Sequence, residues 1–122
     1  MLVVFLLGSE VDRPHQEKIA QVLDNFQVSY EVYVASAHKV PEKTLEIIKK
    51  YNQEKEICYI TIAGRSNALS GLVAANSIHP VIACPPFKDK DDMMININST
   101  LQMPSETPVL TVLDPENAAL AA

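Results

Sequence analysis

Glycine is scarce in this sequence: three residues in a chain of 122. That excludes a collagen-like or glycine-rich low-complexity chain. Basic charge is also short. Ten Lys and Arg stand against fifteen Asp and Glu, a net charge of −5, which argues against a phosphate-backbone partner and so against nucleic-acid binding. No apolar run reaches the ~18 residues of a membrane span. The apolar start, Met1 to Leu7, lacks the basic flank and small-residue cleavage site of a signal peptide. There are only two cysteines, Cys58 and Cys84, and both sit inside apolar strand-like runs. Two free thiols in a reducing, cytoplasmic setting are expected rather than a disulfide framework.

The remainder is a globular composition, 48% hydrophobic and 20% charged. A single domain over 1–122 follows from the length, with roughly two-thirds of the unfolded surface available for burial. Leu2 to Leu7 (LVVFLL) and Ile57 to Ala63 (ICYITIA) are continuous apolar runs, the pattern of strands covered on both faces. Val28 to Ala35, His79 to Cys84 and Pro108 to Leu113 complete a set of five strands. Helices are predicted between and after them. Pro14 to Asn25 carries Ile19, Val22, Leu23 and Phe26 on one stripe, with Asp12 as N-cap. Pro41 to Tyr51 carries Leu45, Ile47, Ile48 and Tyr51. Asn67 to Ser77 is short and rich in small residues. Ile95 to Met103 follows a charged loop, Lys88 to Asp92, with Leu101 and Met103 facing inward. Pro115 opens a last helix capped by Asp114.

Five strands alternating with helices predict an α/β fold, one doubly wound parallel five-stranded sheet of the flavodoxin-like or Rossmann-like kind. Ligands of such sheets lie beyond the carboxyl ends of the strands. Three of those loops carry chemistry. In GSEVDRPH, Gly8 admits close backbone approach, and Ser9 and the following helix N-terminus suit a phosphate. It is neither a G-x-G-x-x-G nor a Walker loop, so dinucleotides and nucleoside triphosphates are not supported. In SAHK, His38 can move a proton near neutral pH and Lys39 can hold an anion. In AGRSN, Gly64, Arg65, Ser66 and Asn67 place a guanidinium, a hydroxyl and an amide after a buried strand, although Ser66 or Asn67 would equally cap the next helix. His15 and His79 have no Cys or carboxylate at ligand spacing, so the pattern does not point to zinc.

Taken together, these stretches resemble the phosphoribosylaminoimidazole carboxylase family of purine biosynthesis, which includes the N5-carboxyaminoimidazole ribonucleotide mutases. The matching segments are Gly8-Ser9-x-x-Asp12, Ser36-Ala37-His38-Lys39-x-Pro41, Ala63-Gly64-Arg65-Ser66-Asn67, Cys84-Pro85-Pro86, Gln102-Met103-Pro104 and Asn117-Ala118-Ala119-Leu120. In the mutase branch the third loop carries a second His; here Ala68 stands at that place. The AGRSN form is similar to the branch that uses carbon dioxide directly. The resemblance implies carboxylation of 5-aminoimidazole ribonucleotide with no metal, biotin or ATP, in a homo-tetramer or octamer. It implies His38 as the acid/base, Ser9 and Lys39 on the phosphate, Asp12 on the ribose, Ser36 in the pocket wall, and Arg65, Ser66 and Asn67 around the carboxylate or carbon dioxide. Three departures accompany it. Val11 replaces a second Ser in the first loop, Glu106 stands where Gly is expected, and the family's longer C-terminal helix is cut short. A mutase, or a non-catalytic nucleotide-binding member, therefore stay open as alternatives.

Overall fold

A computed structural model describes residues 1–122. The elements run β1 (Leu2–Leu7), a 3-10 turn (Glu10–Asp12), α1 (Arg13–Asn25), β2 (Ser29–Val34), α2 (Pro41–Tyr51) and β3 (Ile57–Ile62). They continue through α3 (Leu69–Asn76), β4 (Val81–Ala83), α4 (Lys90–Leu101), β5 (Leu110–Thr111) and α5 (Pro115–Ala121). All pairings are parallel and the strand order is β2-β1-β3-β4-β5, the flavodoxin-like order expected of a doubly wound sheet.

β1 shows why its sequence is apolar without alternation. Val3, Phe5 and Leu7 point into one core with Ile19 and Leu23 of α1 and Ala118 and Ala119 of α5. Val4 and Leu6 point into the other, with Ile47, Ile48 and Tyr51 of α2 and Leu69 and Val73 of α3. Each fully buried Val, Leu, Ile or Phe side chain among them contributes ~1.5–3 kcal/mol of transfer free energy. Pro41 opens α2 at the position where a missing N–H costs nothing, and Asp114 caps α5 by accepting the Asn117 N–H at 2.9 Å.

Several elements depart from the sequence reading. Asp12 occupies the N-cap position of α1 but makes no cap bond there. Its Oδ2 instead accepts the Ser9 N–H at 3.1 Å, closing a capping box on the preceding 3-10 turn. Phe26 is 64% exposed because α1 ends before it. The charged segment expected as loop is helical from Lys90, since Asp89 accepts the Asp92 N–H at 2.8 Å and starts α4 early. Leu101 points outward, and the buried residues of α4 are the polar Asn96 and Thr100. β4 and β5 are shorter than the apolar runs that suggested them. Cys58 and Cys84 are buried and unpaired.

The register positions the site. Leu7 lies opposite both Val34 and Ile62, so three strands end in one row. Backbone bonds from Gly8 N–H to Ile62 O and from Ala35 N–H to Leu7 O, both 2.9 Å, carry the ladder one residue further. The three loops thus leave one edge side by side. β1 and β3 are neighbours, and the chain leaves β1 toward β2 on one side and β3 toward β4 on the other, so a crevice opens between them.

Candidate active site

A cavity of about 300 Å³ fills that crevice, lined by thirteen residues. Nine of the ten residues picked from the sequence are among them: Gly8, Ser9, Asp12, Ser36, His38, Lys39, Gly64, Arg65 and Ser66. Val11, Ala37, Ala63 and Leu69 complete the wall.

The first loop is built by local bonding. Ser9 is extended, and its Oγ accepts the Val11 N–H at 3.4 Å while its own N–H is held by Asp12. Glu10 takes the Arg13 guanidinium on both carboxylate oxygens, at 2.8 and 3.1 Å. Asp12 is 8% exposed, and burial pushes its carboxyl above the usual range, against the pull of the Ser9 N–H. The second loop is a turn in which Ser36 Oγ accepts the Lys39 N–H at 3.3 Å and Ser36 O accepts the Val40 N–H at 2.9 Å. That turn leaves the side chains of His38 and Lys39 exposed at the cavity rim.

The third loop separates its polar residues. Arg65 and Ser66, joined by a cis peptide bond, are exposed at the cavity. Asn67 is not in the cavity wall. It is 8% exposed, its Nδ2 donates to Ser70 Oγ (2.9 Å) and Thr100 Oγ1 (3.1 Å), and its Oδ1 accepts the Ser70 N–H (3.1 Å). Those bonds do the work of a helix cap and tie the loop to α4. Asn67 is thus the one residue picked from the sequence that stands apart from the other nine, with its amide bonded inside the fold. Neither Gly8 nor Gly64 has a positive φ, and an added Cβ would meet nothing nearer than 3.5 Å. The fold itself demands glycine at neither position: a Cβ would rest in ordinary contact, against Ala63 and Asp12 at Gly8 and against Asn96 at Gly64.

Beside the cavity, His15 Nε2 lies 3.4 Å from Cys84 Sγ. Burial, then Lys18, lowers the imidazole below its ordinary value, and burial, then Asp114, pushes the thiol up to about 12. Both groups are neutral at pH 7, so this contact joins α1 to the end of β4 without charge. No three His, Cys, Asp or Glu side chains cluster as metal ligands would, and no helix is long and apolar enough to cross a membrane.

A parallel sheet in this order, with a polar cavity where β1 and β3 diverge, defines a small doubly wound α/β ligand-binding protein. The comparisons with known proteins narrow that class. The family model described as AIR carboxylase matches residues 2–122, and the chain belongs to that family. It is 49% identical over 121 residues to the phosphoribosylaminoimidazole carboxylase of Archaeoglobus fulgidus, covering 99% of this chain and 66% of that protein. It is 40% identical to the human bifunctional phosphoribosylaminoimidazole carboxylase/phosphoribosylaminoimidazole succinocarboxamide synthetase, covering 96% of this chain and 28% of the relative. The crystal structure of Treponema denticola PurE superposes with a TM-score of 0.90 at 44% identity, covering 98% of this chain and 76% of that one. The chain therefore spans about two-thirds of the archaeal relative and just over a quarter of the human one.

Proposed function

We propose that this chain carboxylates 5-aminoimidazole ribonucleotide with carbon dioxide, reversibly, and that His38 is the general acid/base. The observation that carries the reading is the convergence of Ser9, Asp12, Ser36, His38, Lys39, Arg65 and Ser66, from three separate loops, on one small cavity. The family membership and the relatives' names support the same chemistry.

The reaction needs little more than this. The electron-rich ring carbon attacks carbon dioxide and forms the new C–C bond. The resulting tetrahedral carbon must then lose its proton, and His38 accepts it. In reverse, the imidazolium returns the proton to that carbon and carbon dioxide leaves. Ser9, the N-terminal turn behind it and Lys39 hold the phosphate. Asp12 accepts from the ribose hydroxyls, Ser36 lines the wall, and Arg65 and Ser66 orient the carboxylate. No step calls for a metal, biotin or ATP. Ala68, half-buried where the mutase branch has its second His, favours direct use of carbon dioxide over carboxylate migration from nitrogen. The two unpaired thiols fit a cytoplasmic setting. The outward apolar side chains Met94, Ile95 and Leu101 on α4 fit a homo-oligomer.

The test is an ultraviolet assay of carboxyaminoimidazole ribonucleotide decarboxylation by the purified chain, with neither ATP nor metal added. Loss of signal above the buffer rate is expected. His38→Asn should then lower turnover by ~100-fold or more while nucleotide binding, followed by calorimetry, persists. Retained turnover in His38→Asn would remove the histidine from its role. Binding without turnover in the unsubstituted chain would select the non-catalytic alternative. Turnover of N5-carboxyaminoimidazole ribonucleotide but not of 5-aminoimidazole ribonucleotide supplied with bicarbonate would select the mutase.

A further inference from the structure

Arg65 does not stand free in the cavity. Its Nε–H donates to Asn96 Oδ1 at 3.3 Å, and its Nη2 donates to Asp92 Oδ1. Both partners lie on α4, four residues apart and therefore on one face. Each is itself held. Asn96 is 4% exposed, and its Nδ2 donates to the Pro86 carbonyl at 2.7 Å. That bond turns the amide oxygen toward the guanidinium. The other oxygen of Asp92 accepts the Lys88 N–H at 3.1 Å, leaving one oxygen for Arg65. A guanidinium has five N–H donors. Two are engaged by α4, and 5 − 2 = 3 remain for a ligand.

We infer that Asp92 and Asn96 are positioning residues: from α4 they grip one edge of Arg65 and present its remaining donors to the carboxylate or carbon dioxide in the cavity. The inference rests on the carboxylase reading above and adds two residues from an element outside the three loops. The Arg65 side chain is half exposed, so its ion pair contributes little to stability. Its effect is on orientation. The rotamer freedom of a long side chain is lost on folding instead of on substrate binding, and the fork arrives already aimed. Asn96 also bridges the loops after β3 and β4, since it contacts Arg65 on one and Pro86 on the other.

A double-mutant cycle on decarboxylation tests this. Asp92→Ala should lower kcat/KM on the order of tenfold, assayed well below the melting temperature because the Lys88 N–H loses its acceptor too. The same substitution added to Arg65→Ala should cost nothing further. Asp92→Asn, which keeps the shape and loses the charge, should fall between. Equal losses in both Arg65 backgrounds would overturn the inference and assign Asp92 to the Lys88 loop alone. A second measurement needs no activity. The chain has only two arginines, Arg13 and Arg65, so nitrogen-15 spectra resolve their side chains. A gripped Arg65 gives separate, slowly exchanging Nη resonances that merge in Asp92→Ala. Resonances unchanged by that substitution would overturn the inference. Absence of turnover in the unsubstituted chain would instead remove the carboxylase reading, while the spectra still decide whether Arg65 is gripped.

Discussion

Asp12 is a residue at which burial and ligand chemistry pull in opposite directions. Its carboxylate lines the cavity at 8% exposure, and desolvation raises its pKa despite the Ser9 N–H. A raised acid binds its proton more tightly in the folded chain than in the unfolded one. Its favourable contribution is present at low pH and is lost as pH rises through the raised value. Asp12→Asn keeps an oxygen for the Ser9 N–H and carries no charge. It should therefore raise the urea midpoint at pH 7, and the gain should vanish below pH 3.8, the ordinary value of the group. On the proposed function, activity should fall in the same variant, because the second carboxylate oxygen, proposed to accept from the ribose, is replaced by an NH2 donor. Stability that is indifferent to this substitution across that range would show that the carboxylate is better solvated than the geometry indicates. Glu106 makes a related point. It sits at φ 59 where the family resemblance predicts glycine, yet it is exposed and lies outside the cavity wall. Its cost falls on the local backbone, not on the site.

At the scale of elements, the shortage of glycine is visible at the end of α1. Val28 N–H reaches Leu23 O at 2.9 Å and Gln27 N–H reaches Asp24 O at 3.0 Å, a Schellman motif. Its left-handed residue is Gln27, at φ 56, not glycine. Gln27→Gly should stabilise the chain by about 1 kcal/mol, read from the urea midpoint, while Gln27→Ala should be close to neutral. α4 is the element that apolar periodicity misplaces. Its buried face is Asn96 and Thr100, and its outward residues include Met94, Ile95 and Leu101. Thr100 Oγ1 donates to Asn96 O and accepts from Asn67, so the polar face is satisfied by bonding across loops. A search for hydrophobic stripes takes its apolar side for the inside. By contrast, α2 follows the rule, with Ile47, Ile48 and Tyr51 inward and Lys49 and Lys50 in its last turn.

For the whole molecule, two packed layers of helices bury the central strands β1, β3 and β4, so that both thiols are sealed. Cys58 is pushed up to about 11 and Cys84 to about 12, in both cases chiefly by burial. Neither should react with a thiol reagent in the native state, and both should react in urea. The same shifts set an alkaline limit. Above pH 9, the ordinary thiol value, the unfolded chain ionises its cysteines while the folded chain does not. Stability should therefore decline from pH 9 toward 11. A flat urea midpoint across that range, or rapid native labelling, would mean that the sheet opens locally at β3 or β4.

The sequence by itself determined the layer architecture and most of the polar lining of the cavity. Unbroken apolar runs such as LVVFLL, six residues long, partly β-branched and aromatic and closed by Gly8, fit strands covered on both faces, and the helices between them impose parallel crossovers. Loops that follow such strands are where polar residues have reason to gather, so Gly8, Ser9, His38, Lys39, Gly64, Arg65 and Ser66 were legible from position, whereas Asp12 and Ser36 came with the family resemblance. Tertiary structure decided what depends on partners distant in the chain. Asn67 faces inward because Thr100, 33 residues further on, completes its bonds. Asp92 and Asn96 reach Arg65 from 27 and 31 residues away. No periodicity or spacing encodes such a pairing. It exists only once the sheet order has set α4 against the loop that follows β3.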